Sequence, residues 1–118
     1  MKLRVAFYYA GDLHKAAHVY STLLGTSPIY ADNDWVRFHL DGGDLALHHD
    51  PSLSEVETVE PIRYGAVVSL SVSDINATLA LAQVSGFRQI GEIEVQPYGK
   101  QAHIRDPWGN RLSLIQPS

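Results

Sequence analysis

The sequence predicts an α+β fold made of two tandem β-α-β-β-β modules. Three observations predict it. Two segments carry apolar residues at helical spacing, and each ends at a glycine, Gly25 or Gly86. Short strand-like runs precede and follow each of them. An offset of 62 residues places Val5 on Val67 and Asp12-Leu13 on Asp74-Ile75. A chain of 118 residues is one domain's worth of sequence. A half of about 55 residues is too small to be secure alone, so two halves packed as one unit are expected. The expected boundaries are a first module over about 1–50, a linker over about 51–62 and a second module over about 63–118.

In the first module, Val5 to Ala10 is short, apolar and aromatic, which suits a strand. Asp12 is a candidate helix N-cap. Leu13, Ala16, Ala17, Tyr20, Leu23 and Leu24 then share one helical face. A weak strand is expected near Pro28 to Ala31. Stronger ones span Trp35 to Leu40 and Asp44 to His49, joined by the turn Asp41-Gly42-Gly43. In the second module, Val68, Leu70 and Val72 alternate with Ser69 and Ser71. Ser73 or Asp74 caps a helix carrying Ile75, Leu79 and Ala82. Strands follow at about Arg88 to Glu94, Lys100 to Arg105 and Arg111 to Ile115. Gly91, Pro97, Gly99 and the turn Asp106-Pro107-Trp108-Gly109-Asn110 separate them.

Composition removes several functions. Nine Lys and Arg against thirteen Asp and Glu give a net charge of -4, which does not suit a nucleic-acid binder. The absence of Cys excludes disulfides, thiolate metal sites and a cysteine nucleophile. No apolar window is long enough for a membrane helix, so no membrane contact is expected. No signal peptide is visible at Met1 to Val5, and a cytoplasmic location is the expectation. There is no phosphate-binding glycine loop and no nucleophile elbow. Eight of the thirteen acids lie between residues 31 and 60. That run reads as a solvated face or as a field attracting a cationic ligand.

Two stretches carry a resemblance. The first is Val5-Ala6-Phe7-Tyr8-Tyr9-Ala10-Gly11-Asp12-Leu13 with Tyr20 and Leu23-Leu24-Gly25. The second is Arg105-Asp106-Pro107-Trp108-Gly109-Asn110-Arg111-Leu112, preceded by Gln96-Pro97-Tyr98-Gly99. Together they resemble the vicinal-oxygen-chelate superfamily, which includes glyoxalase I, extradiol dioxygenases and bleomycin-resistance proteins. The resemblance implies a curled mixed sheet around a cavity, with helices on the convex face. It implies a small-molecule pocket, and a homodimer whose pockets are shared between chains.

Enzymes of that family hold a divalent metal at four positions, two in the first strands of the modules and two in the last. Carried across, these positions fall on Val5, Ala46, Val67 and Ser113. Three of these side chains have no donor atom and Ser113 alone is a poor ligand. No metal and no cofactor are therefore expected, and the metal-free, bleomycin-resistance-like branch is the closer resemblance. His14 and His18 share a helix face but are expected to be solvated. Strand alternation puts Trp35, Arg37, His39, Ala46 and His48 on the cavity side. The parity of His103 stays open. A cluster of His39, His48 and His103 would serve as metal ligands, as acid and base, or as a neutral polar lining.

The expected ligand-binding residues are Phe7, Tyr9, Trp35, Arg37, His39 and His48 in the first module. In the second they are Ser69, Ser71, Tyr98, His103, Trp108 and Ser113. Trp108, in a Pro-Gly turn, is expected to be exposed. Arg37 reads as a lone base suited to a carboxylate or phosphate, whereas the acidic run argues for a cation. The expected function is metal-independent binding of a small organic molecule, such as an antibiotic sequestered for resistance. No catalytic residue is assigned and catalysis stays open. The alternative is a metal-independent lyase or isomerase using the pocket histidines. A structural or regulatory domain is a third possibility.

Overall fold

Two aspartates start the two helices in the same way. The Asp12 side chain accepts a 3.0 Å hydrogen bond from the Lys15 N–H, and helix α1 runs Leu13–Leu24. The Asp74 side chain accepts one of 3.1 Å from the Ala77 N–H, and α2 runs Ile75–Ser85. Both satisfy N–H groups that a helix leaves open at its first turn. Gly25 ends α1 with φ of 67° and Gly86 ends α2 with φ of 118°, a backbone region closed to most side chains.

The computed structural model describes residues 1–59 and 65–118. The expected linker residues Glu60, Pro61 and Ile62 lie outside the described residues. The chain divides into two units, Met1–Glu55 and Val56–Ser118. The first has strands β1 (Ala6–Ala10), β2 (Tyr30–Ala31), β3 (Trp35–Leu40) and β4 (Gly43–His49). The second has β5 (Val68–Ser71), β6 (Arg88–Gln96), β7 (Gly99–Arg105) and β8 (Arg111–Pro117). The sheet orders are β1-β4-β3-β2 and β5-β8-β7-β6. In each, one parallel pair (β1 with β4, β5 with β8) is followed by antiparallel pairs. The fold is the α+β arrangement that the sequence predicts, with two four-stranded mixed sheets among the described residues.

Alternation sets which face of each sheet is packed. In the first unit Val36, Phe38, Leu45 and Leu47 are buried, and α1 packs on β3 and β4 through Leu13, Ala16, Val19, Tyr20 and Leu23. In the second, Ala102, Ile104, Leu112 and Leu114 are buried, and α2 packs on β6, β7 and β8. Each sheet therefore turns one face to its own helix and leaves the other face with different chemistry.

Several details differ from the sequence reading. β1 and β5 start one residue later, so Val5 and Val67 precede their strands. Gly91 does not separate strands. It sits inside β6 with φ of 70°, where four steps on β6 from Ile90 to Glu94 match two on β7. Such an irregularity bends an edge strand without ending it. The Asp106 turn has the clearest cause. Oδ1 of the buried Asp106 accepts from the Trp108 and Asn110 N–H groups, both at 2.9 Å, and Oδ2 accepts from Asn110 Nδ2 at 2.8 Å. One carboxylate thus closes the loop that feeds β8.

Candidate functional site

The face of the first sheet away from α1 is aromatic. Phe7 and Tyr9 are register partners of Ala46 and His48, and Trp35 is the partner of His48 across β3 and β4. Phe7 lies 5.4 Å from Trp35 and 5.6 Å from Tyr9, both edge to face. His48 lies 5.4 Å from Tyr9 and 5.8 Å from Trp35. Edge-to-face contact is the favoured geometry for neighbouring rings, so the four hold each other in place. Yet Phe7 remains 44% exposed and Tyr9 41% exposed. His48 Nδ1 sits 3.0 Å from the His49 carbonyl oxygen. A carbonyl only accepts, so Nδ1 carries a proton, and the tautomer protonated there alone presents Nε2 as an acceptor.

Arg37 is not the lone base expected. Its Nε donates to Asp44 Oδ2 at 2.7 Å, and His39 Nδ1 lies 2.7 Å from Asp44 Oδ1. The His39 contact first, and Arg37 next, hold the Asp44 carboxyl below its usual range. Sequence pattern could not show this, because Asp44 lies across the hairpin in the acidic run. Three more acids of that run are also engaged. Asp32 accepts from Tyr30 Oη at 2.6 Å and from the Asp34 and Trp35 N–H groups. Asp50 accepts from Ser52, and Glu55 pairs with Lys15 at 2.7 Å. These carboxylates serve turns and pairs, which weakens the reading of an open acidic field.

The second sheet's face away from α2 is polar. Ser69, Ser113 and His103 form one row, since Ser113 is the partner of both. The parity left open for His103 is thereby resolved: it faces away from α2. Tyr98 Oη donates to Gln101 Oε1 at 2.8 Å, and Gln101 Nε2 donates to Ser113 Oγ at 3.0 Å. Gln101 was missed by sequence reading, and only strand register brings it to Ser113. Ser69 and Ser71 are exposed. Burial first, and Arg111 next, push the His103 pKa down, while Glu94 opposes.

Two further expectations are corrected. Trp108 is buried, at 2% exposure, rather than open at a turn. The Asp106 carboxylate takes its N–H, and a large apolar ring gains by leaving water. His39 and His48 do not cluster. The partner of His39 is Asp44, four residues before His48, and four residues of strand span about 13 Å. The family metal positions do not fit a metal either. Val5, Ala46 and Val67 offer no lone pair, and Ser113 Oγ already accepts from Gln101. A separate cavity of about 280 Å³ lies on the helix side of the second unit, between Leu79, Ala82, Phe87 and Ile104. None of the residues expected to bind a ligand lines it.

Residues 2–114 match the family model described as the Glyoxalase/Bleomycin resistance protein/Dioxygenase superfamily. No curated protein matches the sequence. A solved bleomycin-binding protein in complex with bleomycin is 19% identical, with a TM-score of 0.68, covering 100% of this chain and 99% of that one. A bleomycin resistance determinant encoded on the transposon Tn5 is 18% identical, with a TM-score of 0.69 and the same coverage. A glyoxalase-related enzyme from Fulvimarina pelagi is 17% identical, with a TM-score of 0.76, covering 98% of this chain and 87% of that one. These likenesses show a shared fold, and the family match spans nearly the whole sequence. The chain belongs to the glyoxalase/bleomycin resistance protein/dioxygenase superfamily.

Proposed function

We propose that this chain is a metal-independent binding protein that holds a small organic molecule against the aromatic face of its first sheet. The observation that carries the reading is the partly exposed ring cluster of Phe7, Tyr9, Trp35 and His48. Apolar rings left in water cost free energy unless something covers them, and small-molecule sites combine such surface with a few polar groups. His48 Nε2 supplies an acceptor beside the rings. A planar ligand stacks on Trp35, and a cation over its face gains about 0.5–2 kcal/mol. Sequestration of an antibiotic of the bleomycin kind is the specific form of the reading, supported by the fold shared with bleomycin-binding proteins. Protection then comes from mass action, as tight binding lowers the free drug. Homodimeric assembly and a cytoplasmic location belong to the same reading and rest on the family resemblance.

Bleomycin itself is the probe. Trp35 is half-buried and Trp108 fully buried, so ligand-dependent fluorescence reports on Trp35. Bleomycin is expected to quench that emission and raise the Tm, since a ligand of the folded state stabilises it. Trp35→Ala is expected to lose both effects. The absence of quenching and of a Tm shift would overturn sequestration of this drug. A stoichiometric metal that survives dialysis, or conversion of the bound drug, would overturn metal-independent binding without turnover.

A further inference from the structure

Three arginines occupy one cross-strand row of the second sheet. Arg88 of β6 is the register partner of Arg105 of β7, and Arg105 is the partner of Arg111 of β8. Paired residues project from the same face. Three of the nine basic residues of an acidic chain thus stand side by side. Like charges directly opposed across strands destabilise a sheet, so such a row needs compensation. Arg88 and Arg105 repel closely enough that Arg88, after burial, lowers the Arg105 pKa.

The donors of this row are only partly used. Arg105 is 2% exposed. Its Nη1 donates to the Asp106 carbonyl at 3.0 Å and its Nη2 to the Val56 carbonyl at 3.4 Å. Its Nε is buried with no hydrogen-bond partner among the described residues. Two residues along the same face of β7, His103 Nδ1 is also buried and without a partner among them. Ser113, the register partner of His103, accepts from Gln101 and so keeps its own hydroxyl proton to donate. The Asp106 carboxylate lends negative charge to Arg105 but hydrogen-bonds to Trp108 and Asn110. A buried polar group left unmade is costly, and charged donors bind oxyanions more strongly than neutral ones.

The geometry points to an oxyanion-binding site on this face, in which Arg105 Nε, His103 Nδ1 and the Ser113 hydroxyl receive the carboxylate or phosphate group of a small ligand, with Arg88 and Arg111 supplying charge. The site lies in the second unit and does not depend on the aromatic face of the first. A guanidinium row suits either anion, because its planar N–H groups match both.

The test uses the full chain with inorganic phosphate and with acetate, at an ionic strength held constant with chloride. Phosphate or acetate is expected to shift the NMR signals of the Arg105 Nε–H and the His103 ring. The anion that binds more tightly identifies which group the ligand carries. Arg88 is exposed, so Arg88→Gln is expected to fold and, by removing one nearby positive charge, to weaken binding of that anion about tenfold. If Arg88→Gln does not fold, Arg88→Met, which keeps the aliphatic stem and removes the charge, is judged by the same weakening. Signals unmoved by both anions would overturn the proposal. So would an Arg88 variant that binds the anion as tightly as the parent.

Discussion

The two units place different residues on equivalent rows of the same scaffold. In the first, Phe7, Ala46 and Arg37 form one row, and Tyr9, His48 and Trp35 the next. In the second, Ser69, Ser113 and His103 stand in the first of these rows, and Ser71, Ile115 and Gln101 in the other. The faces turned to the helices keep one character, with Leu45 and Leu47 in one unit and Leu112 and Leu114 in the other. Packing against a helix demands apolar residues of the right size, so those rows vary little. The opposite faces carry no such demand. One is ringed with aromatics, the other with hydroxyl, amide, imidazole and guanidinium groups. Repeated architecture is therefore a guide to the core and no guide to the site.

The largest expected effects break the two faces of the first sheet apart. Phe38→Ala, on the helix side at 0% exposure, is expected to cost about 3–5 kcal/mol of stability. Phe7→Ala, on the other face at 44% exposure, is expected to cost about 1 kcal/mol, as it loses ring contacts worth that order and little burial. Urea unfolding of both variants measures the difference. Equal losses would mean that the aromatic face is structural core and would remove the main support for a ligand there.

Smaller effects test what the units share. Asp106→Ala leaves N–H groups of Trp108 and Asn110 buried without their acceptor, at about 1–3 kcal/mol each. In the first unit Asp32 also accepts three hydrogen bonds at a turn, but an exposed one, where water replaces a lost acceptor. The helix caps are matched instead. Asp12→Ala and Asp74→Ala are each expected to cost about 1 kcal/mol. Thermal unfolding of the three variants should rank Asp106 first and leave the two caps close together. A cap loss confined to one helix would show that the two starts, alike in geometry, are unlike in energy.

This pattern explains what was legible in the sequence. Caps, glycine stops and strand alternation are local, so Asp12, Gly25, Asp74 and Gly86 announce two repeated modules without any tertiary information. The aromatic side of β1 was legible for the same reason, since Phe7 and Tyr9 alternate with Ala6, Tyr8 and Ala10. What was hidden depends on contacts between strands. Arg37 looked unpaired because Asp44 is reached only through the register of β3 with β4. Trp108 looked exposed because a turn sequence does not reveal that Asp106 draws the turn inward. The row of Arg88, Arg105 and Arg111 spans 24 residues of sequence and becomes adjacent only through two ladders.

The smallest expected effect separates the units by pH. In the first, hydrogen bonding from His39 and then Arg37 lowers the Asp44 pKa below its ordinary 3.8. The unfolded chain therefore binds the proton more readily in the window below 3.8. Stability from this group is complete above that value and is lost as pH falls through the lowered one. In the second unit burial, helped by Arg111, lowers the His103 pKa below its ordinary 6.5. The sign is the same but the window is higher: the unfolded chain takes up the proton first as pH drops below 6.5, and stability declines from there. Asp44→Asn should flatten only the acidic limb of a stability-against-pH curve, and His103→Asn only the limb just below neutrality. Hydrogen exchange of β4 and β7 amides across pH reads each unit separately. If both substitutions flatten the same limb, the two faces do not titrate independently, and the contrast drawn between them fails at its electrostatic level.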